Sequence, residues 1–237
     1  MNVGIFHATA GHGHKKVAEA LYETLSQNSS VKNVFIEDSL DSTPGIFKKT
    51  YPQTYYLAVK HFPSVWGWFY ENFDKPFVYA LVKPIRTLAN RFYGRKLLKR
   101  LQELQPDVLI STHFFTAELF ARAKRKGLLK AKLITVITDF LPHTFWTNFG
   151  TDAYCVMSEE VRDELRRWGI DNKMIHVTGI PVTREFLTQK DRGSILQQYN
   201  FDLKRKTILL TSGSFGLGDS GGLLKQLAPF KEDIQCF

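Results

Sequence analysis

Six short apolar runs, separated by segments with other periodicities, constrain this chain more than any other feature. They are Asn2–Thr9, Val34–Glu37, Asp107–Thr112, Leu133–Thr138, Ala153–Met157 and Ile175–Thr178. Most of the intervening segments read as helices. Lys15–Gln27 carries Val17, Leu21 and Leu25 on one face, with Lys16, Glu19 and Glu23 off it. Thr116–Lys126 stops at Gly127, and Glu159–Trp168 stops at Gly169 after Ser158 as N-cap. Strands alternating with helices predict an α/β fold with a Rossmann-like parallel sheet covered on both faces.

The run Gly179-Ile180-Pro181-Val182 marks a boundary. Beyond it come a polar segment, the apolar run Thr207–Thr211, a glycine-rich loop from Gly213 and a helix around Leu223–Leu227. The last residues, Asp233–Phe237, look like the opening of another strand. One strand–loop–helix–strand unit cannot cover both faces of a parallel sheet. The expected organisation is therefore a complete Rossmann-like domain over 1–180, with a helical insertion at about 44–104. Residues 181–237 are expected to form a linker and the start of a second Rossmann-like domain in a truncated protein.

Composition narrows the classes. With 237 residues and 43% hydrophobic content, disorder is excluded and one to two domains are expected. Two distant cysteines, Cys155 and Cys236, exclude a disulfide scaffold and a zinc ribbon, and fit a reducing compartment. No metal-ligand spacing, secretory signal or membrane-spanning run is visible. Lys and Arg number 32 against 23 Asp and Glu, a net charge of +9, so an anionic partner is expected.

Between the first strand and first helix lies Ala10-Gly11-His12-Gly13-His14-Lys15-Lys16. Gly11 and Gly13 allow close backbone approach to a ligand, and the helix start offers free N–H groups. A dinucleotide fingerprint would need a third glycine where Lys16 stands, with Glu37 or Asp38 taking the ribose, so an NAD-dependent reductase is the weaker alternative. At the helix N-terminus His14 is expected to have a lowered pKa, which suits a general base.

The middle of the chain is aromatic, then basic. Between Tyr51 and Tyr79 lie eleven aromatic residues, which suit a membrane interface or an apolar ligand groove as well as a satellite core. Lys83–Arg100 holds seven basic residues and no acid, and it reads as one amphipathic basic helix with Leu88 and Phe92. Arg95, Lys96, Lys99 and Arg100 are its candidate contacts to anionic lipid; no nucleic-acid motif accompanies them. Arg122–Lys132 is a second basic block, for which an ordinary solvated face competes.

Past the fourth strand runs Thr138-Asp139-Phe140-Leu141-Pro142-His143-Thr144-Phe145-Trp146. Ligands of parallel sheets bind beyond the carboxyl ends of the strands. His113, Asp139, His143 and Trp146 are thus expected beside His14, with a carboxylate holding the imidazole in its tautomer.

Four segments in this order, GIFHATAGHGHKKVAEAL, VITDFLPHTFW, DAYCVMSEEVRDEL and VTGIPVTREF, resemble the monogalactosyldiacylglycerol synthases and processive diacylglycerol glucosyltransferases. These are glycosyltransferases of family 28 with the two-domain GT-B fold. The resemblance covers essentially the whole chain. It implies an N-terminal domain for the lipid acceptor and a C-terminal domain for a UDP-sugar, with the proposed catalytic base at His14. The family's aspartate and tryptophan fall on Asp139 and Trp146. Its first donor glycine loop falls on Ser212–Gly218, including Gly213, Ser214, Phe215 and Gly216. On the acceptor side the expected set is Gly11, Gly13, His113, His143 and Trp146.

The implied activity is inverting transfer of glucose or galactose from UDP-glucose or UDP-galactose to diacylglycerol. It would take place at the cytoplasmic face of the membrane, beside anionic lipids and without cofactor or metal. The family's uridine and sugar contacts fall beyond position 237, so this chain alone is expected to be inactive. A non-catalytic, anionic-lipid-binding module is the alternative from another class.

Overall fold

The computed structural model describes residues 1–9, 12–72, 75–211 and 219–237, except the side chains at 46, 47, 49, 51, 52, 55, 59, 63, 66, 69–71, 76, 80 and 85. The chain forms two compact units, Met1–Thr183 and Arg184–Phe237.

The first unit is an α/β layer structure on a six-stranded sheet. Its strands are β1 (Asn2–His7), β2 (Asn33–Asp38), β3 (Val108–Ser111), β4 (Lys132–Val136), β5 (Ala153–Val156) and β6 (Ile175–Val177). They lie in the order β2-β1-β3-β4-β5-β6, and every pairing is parallel. Each expected strand is present with its ends shifted by one or two residues: β2 runs one residue further at both ends than expected, β4 starts one residue earlier, and the others are trimmed.

Side chains alternate across a strand, so each run serves two layers. Val3, Ile5, Ile110 and Val136 pack with Val17 and Ala18 of helix α1 (His12–Ser26). On the other face Phe6, Leu109 and Leu133 pack with Leu119 and Phe120 of α6 (Phe114–Arg125). At the far edge α7 (Glu159–Arg167) buries Val161 and Leu165 against Tyr154, Val156 and Ile175. Gly127 and Gly169 follow α6 and α7 at φ of 70° and 85°, the left-handed turn that glycine takes without strain. Ser158 occupies the N-cap position of α7, but its side chain makes no capping bond.

Helix α1 begins at His12, three residues before the expected start, so Gly13 and His14 belong to its first turn. Between β2 and β3 the insertion folds as α2 (Gly45–His61), α3 (Pro63–Asn72), α4 (Pro76–Tyr93) and α5 (Arg95–Leu104). The expected single basic helix over Lys83–Arg100 is thus two helices meeting at Gly94. A Cβ on Gly94 would lie 2.5 Å from the Leu119 side chain, so this corner packs directly on α6. The bend also swings Leu97 and Leu101 into the core, each 1% exposed. Of the aromatic cluster, Phe62, Trp68 and Phe77 are exposed. Tyr51, Tyr55, Trp66, Phe69, Tyr70 and Phe73 lie outside the described side chains.

In the second unit β7 (Lys206–Ile208) pairs in parallel with β8 (Ile234–Cys236), beside α8 (Arg192–Gln198) and α9 (Ser220–Leu227). Buried Gln235 accepts from the Asp202 N–H and donates to the Thr207 hydroxyl. The glycine-rich stretch with Gly213, Ser214, Phe215 and Gly216 lies outside the described residues.

Candidate active site

The strand order reverses between β1 and β3, since the chain leaves β1 for β2 on one side and returns to β3 on the other. Such a switch point opens a crevice at the carboxyl ends of the strands. Here β1 feeds the first turn of α1, β3 feeds Thr112 and His113, and β4 leads into Thr138 and Asp139.

His14 is at the centre. Its Nδ1 lies 2.7 Å from the Thr112 carbonyl oxygen and 2.7 Å from the Thr138 hydroxyl oxygen. A carbonyl only accepts, so Nδ1 carries the hydrogen and the neutral ring keeps its lone pair on Nε2. The Thr112 hydroxyl donates to the His14 carbonyl at 2.9 Å, closing the bracket. This corrects the expectation that a carboxylate sets the tautomer: backbone and hydroxyl oxygens set it. Burial pushes the His14 pKa below its ordinary value, against the opposing pull of Asp139 and of the Thr112 carbonyl. The direction is the expected one, and desolvation is its largest cause.

Asp139 serves the opposite wall. Its Oδ2 accepts from the Trp146 indole N–H at 2.7 Å and lies 3.5 Å from His143 Nε2. Trp146 is fully buried, with its ring centroid 6.1 Å from that of His14. His143 packs against Phe114 at 5.2 Å and Phe145 at 5.1 Å between ring centroids.

His113 is a structural element of the wall. Its Nδ1 accepts from the Phe115 N–H at 3.1 Å as the cap of α6, so its neutral tautomer is the reverse of that at His14. Burial holds its pKa well below the usual value, and its ring centroid stands 4.6 Å from that of His14. Gly13 is exposed in the first turn of α1, whereas Gly11 lies outside the described residues. Thus His14, His113, Asp139, His143 and Trp146 come together. The sequence did not disclose Thr112, Thr138 or Phe114, because a bond to a main-chain carbonyl or a ring contact across three strands has no local pattern.

The basic residues divide by environment. Arg95, Lys96 and Lys99 are exposed along α5. Arg100 is tied to Glu37 at 2.7 Å. Arg86 faces inward, 2.9 Å from Glu118 and with its guanidinium 4.0 Å above the Phe145 ring. In the second basic block Lys124 and Lys132 pair with Asp152. Glu37 is held by Arg100, and Asp38 accepts from the Leu40 N–H at 3.0 Å; the carboxylates that a dinucleotide would need are engaged within the chain. Among the described residues no group of three or more His, Cys, Asp or Glu is arranged to hold a metal ion.

Residues 14–182 match the family model of monogalactosyldiacylglycerol (MGDG) synthase. A processive diacylglycerol beta-glucosyltransferase of Bacillus licheniformis is 28% identical over 238 residues, covering 99% of this chain and 59% of the relative. The enzyme of the same name from Bacillus subtilis is 29% identical over 221 residues, covering 90% of this chain and 54% of the relative. The chain thus spans little more than half the length of these relatives. The apo form of the lipopolysaccharide outer core galactosyltransferase WaaB, a GT-B glycosyltransferase, aligns over 100% of this chain and 60% of its own. Its TM-score of 0.51 at 14% identity shows a shared fold. The match over residues 14–182 starts at the bracketed histidine and takes in strands β2 to β6 with the loops that follow them, and the chain belongs to the monogalactosyldiacylglycerol synthase family.

Proposed function

We propose that this chain supplies the acceptor side of an inverting hexosyltransferase, which moves glucose or galactose from a UDP-sugar to the hydroxyl of diacylglycerol. The observation that carries this reading is the bracketed imidazole. Thr112 and Thr138 hold Nδ1, burial keeps the ring neutral near pH 7, and Nε2 is left as the base. In the proposed reaction Nε2 takes the acceptor's hydroxyl proton while its oxygen attacks the anomeric carbon. The sugar–phosphate bond breaks in the same displacement, and UDP leaves with the bonding electron pair. The resulting imidazolium is favoured by the negative charge of Asp139, which already draws the His14 pKa upward. The UDP-sugar is assigned to the second unit, with Gly213, Ser214, Phe215 and Gly216 as its phosphate loop.

Helix α4 supports a lipid acceptor presented at a membrane surface. Phe77, Leu81, Leu88 and Phe92 fall on one face at helical spacing and are 81%, 62%, 68% and 57% exposed. The opposite face turns Tyr79, Arg86, Thr87 and Asn90 inward. This is the reverse of a helix partnered by water, whose apolar stripe faces the core. Exposed Lys83, Arg91, Arg95, Lys96 and Lys99 flank the apolar face, as an anionic interface demands. Beside it Ser42, Thr43, Phe92, Arg95 and Lys96 line an open cavity of about 450 Å³. No helix among the described residues is long and apolar enough to cross a membrane. The proposed attachment, through the exposed face of α4, is peripheral and on the cytoplasmic side.

The test is a thin-layer assay with radiolabelled UDP-glucose or UDP-galactose and diacylglycerol in anionic vesicles. It is run on the chain and on a fusion to the C-terminal half of the Bacillus subtilis relative. We expect glycosyl-diacylglycerol from the fusion and none from the chain alone. A folded fusion that binds vesicles but yields no glycolipid with either donor would overturn the transferase reading and favour a lipid-binding module.

A further inference from the structure

Glu118 of α6 is 8% exposed, and a buried carboxylate needs its partners close by. It finds three of them on the inward face of α4. The Thr87 hydroxyl donates to Oε1 at 2.7 Å, the Asn90 amide donates to Oε2 at 2.6 Å, and Arg86 Nε lies 2.9 Å from Oε2. The Arg86 guanidinium also stands 4.0 Å above the ring of Phe145, one residue before Trp146. Tyr79, about two turns earlier on α4, meets the same ring with centroids 6.1 Å apart. Phe145 in turn packs on His143 and Phe114, which line the His14 site. One helix therefore shows an apolar face outward and grips the loop bearing Asp139, His143 and Trp146 with the other.

We propose that Arg86 is a positioning residue, which couples the seating of α4 on a lipid surface to the geometry of the Asp139–Trp146 wall around His14. The coupling rests on the lipid-facing reading of α4 given above. The physical basis is stiffness: a planar guanidinium held by a buried carboxylate and stacked on an aromatic ring has one orientation. A rigid-body shift of α4 on entering the interface must then be shared by Phe145. With no lipid the loop samples openings that break the Trp146–Asp139 bond; seating α4 suppresses them. Acceptor binding and a competent wall would thereby arrive together.

The experiment follows hydrogen exchange of the Trp146 indole N–H by NMR, assigned with Trp146→Phe, in the full chain with and without anionic phosphatidylglycerol bicelles. Vesicle co-sedimentation is measured on the same variants. Removing Arg86 alone would leave Glu118 charged and buried, so the main variant is the double change Arg86→Met with Glu118→Met. Arg86→Lys is the second variant; it keeps the charge for Glu118 and loses the planar contact with Phe145. In the parent chain, bicelles are expected to slow indole exchange at least threefold. In both variants binding should stay within twofold of the parent and that slowing should disappear. If the double variant does not fold, Arg86→Lys decides. A parent chain that binds bicelles without change at Trp146, or variants that keep the slowing, would overturn the coupling alone. A parent chain that fails to bind at all would overturn the lipid reading of α4, and the coupling with it.

Discussion

Asp139 offers a test in which charge and hydrogen bonding separate. Its Oδ2 accepts from the indole of Trp146, a side chain with no exposed surface, at 2.7 Å. Asp139→Ala leaves that donor buried without its acceptor, a loss of about 1–3 kcal/mol. In a protein of this size each kcal/mol moves the melting temperature by roughly 2–4 °C, so a mid-range loss lowers it by about 4–8 °C. Asp139→Asn keeps an oxygen where the indole needs one and removes only the charge, so its melting temperature should stay within about 2 °C of the parent. The two variants should nonetheless agree at His14. Asp139 draws that pKa upward against burial, so removing the charge by either route should move it further down. Thermal unfolding followed by tryptophan fluorescence gives the first comparison, and NMR titration of the His14 Cε1 proton gives the second. An alanine variant as stable as the parent, or an asparagine variant as unstable as alanine, would refute the bond's place in the wall. An unmoved His14 titration would refute the electrostatic link.

His14→Ala in the fused form should lower glycolipid formation by about 10²–10⁴ while leaving vesicle binding unchanged; near-parental turnover would remove His14 as base. His7, His14 and His113 are all held below the ordinary histidine pKa, chiefly by burial, so below about pH 6.5 the unfolded chain takes up protons that the native chain refuses. Stability is therefore full above that range and falls as pH drops towards the native values, by up to about 1.4 kcal/mol per pH unit for each histidine; equal urea midpoints at pH 7.5 and 5.5 would contradict this. Lys96→Glu with Lys99→Glu should weaken binding to anionic vesicles at low salt by far more than Arg100→Glu, since Arg100 already pairs with Glu37; equal effects would show that the exposed row is not the contact. Gly94→Ala forces a methyl against Leu119 at the α4–α5 corner and should cost about 1–3 kcal/mol by urea unfolding, whereas a neutral result would mean that the corner yields.

The layer order was legible in the chain because it depends on patterns that are local. An apolar run of four to six residues, a helix with three apolar residues on one side and a glycine at its end carry their own structure. Thus Asn2–His7, Val108–Ser111 and Lys132–Val136 form as parallel strands where the runs stand. The rule that ligands gather at the carboxyl ends of such strands was enough to bring His14, His113, Asp139, His143 and Trp146 onto one side.

What tertiary structure alone decided was the partner of each group. The Asp139 carboxylate was expected to orient His14, yet it takes the Trp146 indole, while the Thr112 carbonyl holds the imidazole. The row Lys83–Arg100 reads as seven equivalent charges, but Gly94 bends it. That bend leaves Arg95, Lys96 and Lys99 in the open, turns Arg100 to Glu37, and leaves Arg86 facing Glu118 on the helix before it. Sequence specifies periodicity because neighbouring residues share a backbone. The bonds of His14 to Thr112, Arg86 to Glu118 and Arg100 to Glu37 join residues dozens of positions apart, and which of several carboxylates or carbonyls meets a given cation or imidazole follows only from how the packed layers bring them together.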